Sequence, residues 1–142
     1  MTRALCTAAA VAAFALAVAG CGSEKYGAGG GSGGKTATIA GVLANDHGSK
    51  QVSGKSEVQL DDFYFDATVL TGKPGAKVAL QLTNNGKAKH NFTIDAPKIS
   101  ADIELGESET VTVTIPQSGE ISFYCKYHKS MGMAGALAAS GY

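Results

Sequence analysis

The sequence offers its folded part no pair of cysteines. Of three cysteines in 142 residues, Cys6 lies in an apolar leader and Cys21 at its end. With Cys21 lipidated, Cys125 is the only thiol left, and a domain exported to where disulfides form has no intramolecular partner for it. Charge of one sign is also missing, since 12 basic residues face 12 acids. Once Arg3 leaves with the leader, eleven lysines face twelve acids, so the strongly basic balance of a nucleic-acid binder is absent. No second apolar run is long enough to cross a bilayer. There is no internal repeat and no helical hydrophobic period.

The first twenty residues read as a targeting segment. Met1-Thr2-Arg3 gives a positive start, and Ala8 to Ala19 is an unbroken run of Ala, Val, Phe and Leu. That run has the length of a signal-peptide apolar core and is short for a membrane span. It ends Val18-Ala19-Gly20-Cys21, which resembles a bacterial lipobox, in which the cysteine receives lipid and becomes the new first residue. The other reading is an ordinary signal cut near Ala19. Both export the protein, and the first places it on the extracytoplasmic face of the cell membrane. Residues 22–34 are dominated by glycine and serine, with almost no apolar side chains to bury. Such a stretch behaves as a flexible coil spanning roughly 20 Å. The expected organisation is a lipoprotein-type signal peptide at 1–20, a linker and poorly defined segment at 21–50, and a folded domain at 51–142. Within the middle segment, Thr38 to Leu43 is either a strand or more linker.

The folded part alternates. Val58 and Leu60, Phe63 and Phe65, Val78, Leu80 and Leu82, His90, Phe92 and Ile94, Val111, Val113 and Ile115, and Ile121 and Phe123 all recur with period two. That period is the mark of half-buried strands. Turn residues punctuate the runs at Gly72-Lys73-Pro74-Gly75, Asn84-Asn85-Gly86, Leu105-Gly106-Glu107 and Pro116-Gln117-Ser118-Gly119. Many short strands with evenly spaced turns predict an all-β sandwich or barrel. Ala134 to Ala138 is expected to close a sheet edge, and Phe63-Tyr64-Phe65 to serve core packing.

The segment Phe123-Tyr124-Cys125-Lys126-Tyr127-His128-Lys129-Ser130-Met131-Gly132-Met133 sets Cys, His and Met within nine residues at a strand end. One thiolate, two imidazoles and a weak thioether are the donors of a blue-copper site. A structural zinc site would need four Cys or His ligands in paired motifs, and those partners are lacking. The second imidazole must come from elsewhere, and His90 stands at a strand start about 35 residues earlier. His47 lies in a polar stretch and reads as solvated.

This pattern resembles the cupredoxins of the plastocyanin and pseudoazurin type. They carry Cys-x-x-His-x-x-x-x-Met after a strand and an earlier His-Asn at a strand start, here Cys125, His128 and Met133 with His90-Asn91. The resemblance covers roughly residues 55 to 142 and implies a cupredoxin-like Greek-key β-sandwich. It implies one type 1 copper ion held by His90, Cys125, His128 and an axial methionine, which would carry single electrons between redox partners. Met133 fits the longer loop and has Gly135 two residues on; Met131 fits the shorter, amicyanin-like loop. Tyr127 departs from the proline common between Cys and His. Asn91 is expected either to brace the site near the thiolate or to stand as an ordinary strand residue.

Multicopper oxidases and nitrite reductases need further histidine pairs, so an enzyme is not expected. The rival reading is a copper-delivery or copper-buffering lipoprotein. Lys87, Lys89, Lys126 and Lys129 flank the two histidines, while the acids are expected mostly elsewhere. That distribution predicts a redox partner with an acidic docking face; the protein itself is expected to be a monomer.

Overall fold

The computed structural model describes residues 35–140. The leader, the glycine-rich stretch and Cys21 lie outside the described residues. Twelve strands run in the order β1 (Lys35–Ile39), β2 (Val42–Asp46), β3 (Ser49–Gln51), β4 (Lys55–Asp61), β5 (Tyr64–Asp66), β6 (Val69–Gly72), β7 (Lys77–Asn84), β8 (His90–Ile94), β9 (Ile99–Ile103), β10 (Ser108–Thr114), β11 (Glu120–Tyr124) and β12 (Ala134–Ala139). A 3₁₀ turn, Lys129–Met131, sits between the last two. The expected all-β cupredoxin-like sandwich is what forms. One sheet has the order β10-β7-β4-β5 and faces a six-stranded sheet of order β3-β6-β12-β11-β8-β9.

The period-two runs become the facing surfaces. Along β7, Val78, Leu80 and Leu82 are fully buried while Ala79, Gln81 and Thr83 are half-exposed. Val58 and Leu60 of β4 and Val111 and Val113 of β10 turn into the same core. Between the sheets Phe65, Phe92 and Phe123 meet with centroids 4.9–6.0 Å apart, two of the three contacts edge-on. Such contacts add to the burial of three large rings.

Two parts of the architecture depart from the alternation. Residues 35–51 carry three strands, so strand structure begins ahead of the expected boundary at 51. Within 38–43 the chain makes a hairpin rather than one strand. Ala40 and Gly41 both have positive φ, the geometry of a two-residue turn, and Ile39 pairs with Val42 across it. Alanine is an uncommon residue at such a position, and for that reason the turn gave no sequence signal.

Ala134 to Ala138 does not close an edge. Strand β12 lies inside the six-stranded sheet, parallel to β6 and antiparallel to β11, with all six residues buried. Leu137 faces the main core. Ala134, Ala136 and Ala138 face the other way, into a second cluster with Ile39, Ala44 and Val69. A continuous apolar run, unlike an alternating one, is the pattern of a strand covered on both faces. Small residues are needed because the neighbours come close. A Cβ added at Gly135 would collide with the Thr68 carbonyl oxygen and the Phe123 ring.

Candidate metal centre

The ligand candidates converge where β8 begins and β11 ends. His90 opens β8, Cys125 directly follows β11, and His128 caps the 3₁₀ turn. Tyr124 of β11 pairs with Thr93 of β8, so the two strands are neighbours and their ends bring residues 35 apart into one place. His90 Nδ1 lies 3.3 Å from His128 Nδ1, which lies 3.5 Å from Cys125 Sγ. Ligand atoms of all three fall within 4.8 Å of one another. His90 and Cys125 are fully buried, and His128 is half-buried.

The loop between Cys125 and β12 is closed by its own backbone. Cys125 N–H donates to Met133 O at 3.0 Å, His128 N–H to Cys125 O at 3.1 Å, and Met133 N–H to His128 O at 3.2 Å. Of the two methionines, Met133 is fully buried and belongs to the core cluster that contains Cys125, whereas Met131 is half-exposed. Three donors of thiolate and imidazole type beside a buried thioether suit a soft metal that tolerates a weak fourth ligand, which is the chemistry of copper. The donor set therefore fits one copper ion.

Around the ligands stand residues that periodicity did not single out. Asp62, between β4 and β5, places Oδ1 3.1 Å from His90 Nε2. Phe63 is not simple core filler, for its ring lies 4.5 Å from that of His128, centroid to centroid. Asn45 of β2 donates through Nδ2 to Phe63 O and Met131 O, both at 2.9 Å. Its own N–H donates to Gly132 O at 2.8 Å. The N-terminal hairpin thus clamps the loop that bears His128 and Met133. No local signal marks such a clamp, because Asn45 and Met131 are 86 positions apart. His47 is half-buried and stacks on Tyr64 at 3.6 Å, which corrects its reading as a solvated residue.

Asn91 braces rather than merely decorates its strand. Its Nδ2 donates to Ala101 O at 3.0 Å and to Asp102 Oδ1 at 2.7 Å, and its Oδ1 accepts from Lys126 N–H at 3.4 Å. It ties β8 to β9 and to the backbone just past Cys125.

The electrostatics differ from the sequence expectation. Lys89 pairs with Glu104 at 2.6 Å and Asp102 at 3.4 Å, and Lys126 pairs with Asp102 at 2.7 Å. Tyr127 also donates its hydroxyl to Asp102 at 2.8 Å. The Lys126 ammonium and the Tyr127 hydroxyl hold the Asp102 carboxyl well below the usual range. The premise that the acids stand away from the lysines therefore fails, because Asp102 of β9 and Glu104 just after it come against Lys89 and Lys126. At His90, burial pushes the imidazole down and nearby His128 adds to this, while Asp62 opposes both. Burial would push Asp62 up, but N–H groups of Lys87 and Ala88, with His90, outweigh it and hold the carboxyl low.

Comparison with known proteins agrees with this geometry. A family profile described as a cupredoxin-like domain matches residues 35–139, and the chain belongs to that family. A plastocyanin of Mercurialis perennis is 33% identical over 78 residues, covering 46% of this chain and 77% of the relative. Among solved structures, reduced auracyanin from Roseiflexus castenholzii superposes with a TM-score of 0.54 at 19% identity, covering 63% of this chain and 99% of its own. The metal-binding domain of a Streptococcus pneumoniae Cu(I)-exporting P-type ATPase, solved with Cu(I), gives 0.54 at 12% identity, covering 66% and 96%. At those identities the structural likenesses speak for the fold alone.

Proposed function

We propose that this chain is a blue copper electron carrier, holding one copper ion through His90, Cys125, His128 and Met133 and exchanging single electrons with partner proteins outside the cytoplasm. The observation that carries the reading is the meeting of ligand atoms of His90, Cys125 and His128 within 4.8 Å, beside the buried Met133. When bound, copper supplies a one-electron couple between Cu(II) and Cu(I). The chain's part is to set its donors before the metal arrives. Two come from or adjoin packed strands, and the others lie on a loop closed by hydrogen bonds and clamped by Asn45. Donors held this way move little between the two oxidation states.

His128 is the ligand candidate that reaches solvent, and the exposed side chains of Tyr127 and Met131 stand on the same loop. Contact with a partner is made over that histidine. An acidic docking face on the partner would meet the loop lysines. With Asp102 and Glu104 balancing Lys89 and Lys126, the electron-transfer rate is expected to fall only gently with salt.

The test is addition of Cu(II) to the purified domain. One equivalent is expected to give an intense visible band that bleaches on one-electron reduction and returns on oxidation. A domain that binds copper but does not cycle reversibly would instead be a copper-delivery or buffering protein. Axial donation is read from the potential. Met133→Leu is expected to raise it, as removal of a weak donor disfavours Cu(II), and Met131→Leu to change it little; the reverse pattern would move the axial role to Met131.

Export and a lipid on Cys21 belong to the same proposal and are supported by the leader sequence. One structural fact bears on them. Lys35 pairs with Asp46, next to Asn45, so the described chain enters the fold beside the ligand loop. An anchor upstream would keep that end of the domain near the membrane. Mass spectrometry of the native N-terminus is expected to show a diacylglyceryl-modified Cys21; an unmodified terminus beyond residue 21 would remove the anchor.

A further inference from the structure

Asp62 is a charged side chain set directly behind a buried ligand candidate. Its Oδ1 stands 3.1 Å from His90 Nε2, while Oδ2 accepts the Lys87 N–H at 3.0 Å. The other ring nitrogen of His90, Nδ1, is the one that faces His128, whose Nδ1 lies 3.3 Å away. His90 has no exposed surface, so water does not compete for Nε2. The loop before β8 is shaped around this contact. A Cβ at Gly86 would strike both Asp62 Oδ1 and His90 Nε2, so a larger residue there would displace the pair. Asn84 holds that loop by donating to Ala88 O and accepting from Gly86 N–H, both at 2.9 Å.

We propose that Asp62 is the positioning residue of the metal centre: its carboxylate accepts a hydrogen bond from His90 Nε2–H, fixes the tautomer that leaves Nδ1 bare toward His128, and biases the centre toward Cu(II). The physical argument has two parts. A neutral imidazole carries one proton, and an acceptor at Nε2 draws it there, so the lone pair stays at Nδ1. A carboxylate behind a ligating histidine also makes the ring a stronger donor, which favours the more highly charged metal state. A group of this kind typically contributes 10–100-fold to metal affinity. The bias toward Cu(II) rests on the copper reading of the site; the tautomer does not.

Nitrogen-detected NMR of the copper-free protein reads the tautomer directly. Wild-type His90 is expected to carry its proton on Nε2, and a proton found on Nδ1 would overturn the proposal whatever the metal. Asp62→Asn removes the charge and can accept only one of the two N–H groups. It is expected to lower Cu(II) affinity at least tenfold more than Cu(I) affinity, which raises the potential by about 59 mV for each factor of ten. Asp61→Asn is the control. It removes the same charge one residue away, where the carboxylate meets the Tyr64 hydroxyl at 3.4 Å. If Asp61→Asn shifts the potential as far as Asp62→Asn, only general charge is at work and the positioning role is lost. An unchanged potential in Asp62→Asn would also overturn it.

Discussion

Cys125→Ala is expected to abolish the visible colour of the Cu(II)-loaded protein while the domain stays folded. The colour of such a site arises from charge transfer between a thiolate and the metal, and no other described residue supplies a thiol. Cys125 is wholly buried and its Sγ lies 3.5 Å from His128 Nδ1, so nothing nearby replaces it. Alanine removes one sulfur from the core, a smaller loss than the truncation of a large side chain, and the backbone bond from Cys125 N–H to Met133 O remains available. Absorbance between wild type and variant, each with one equivalent of Cu(II), is the measurement, with circular dichroism as the control for folding. An intense band that survives in the folded variant would disprove the thiolate assignment and the blue copper reading with it.

Phe123→Ala is expected to destabilise the copper-free domain by about 3–5 kcal/mol, the usual cost of truncating a buried phenylalanine. Phe123 is fully buried, touches Phe65 and Phe92 with centroids 5.0 and 4.9 Å away, and faces Gly135 across β11 and β12. The cavity is slow to collapse, because β12 is already packed against Thr68 and is covered on both faces. For a domain of this size each kcal/mol lowers Tm by roughly 4–8 °C, so a fall on the order of 12–40 °C is expected in a thermal melt. A change below about 1 kcal/mol would mean that the aromatic cluster is not the centre of the core. Because Cys125 lies two residues further along the same chain, the variant is also expected to hold copper less tightly.

Some of this protein was legible from its sequence. The alternation of Val78, Leu80 and Leu82 and of Val111 and Val113 is local, since successive residues of a strand point to opposite faces whatever the strand pairs with. Cys125, His128 and Met133 were legible for the same reason, being close along one short loop. Met133 and Met131 fit loops of different lengths equally well as thioethers, and Gly135 favoured the former; in the fold Met133 is buried and Met131 exposed.

The tertiary structure decided what depends on which strands become neighbours. The placement of β12 inside a sheet followed from its pairing with β6 and β11, while the hairpin β1–β2 covers its outer face and turns at Ala40-Gly41 with no sequence mark. Asp62 meets His90 across 28 positions, Asn45 meets Met131 across 86, and Asp102 reaches Lys126 from another strand. Periodicity says which face a residue occupies but not which element lies against that face. The sequence by itself therefore determined the candidate donors and the strands that carry them. Only the packing of distant strands decided which groups hold those donors in place, because such contacts form after chain segments far apart in sequence have been brought together.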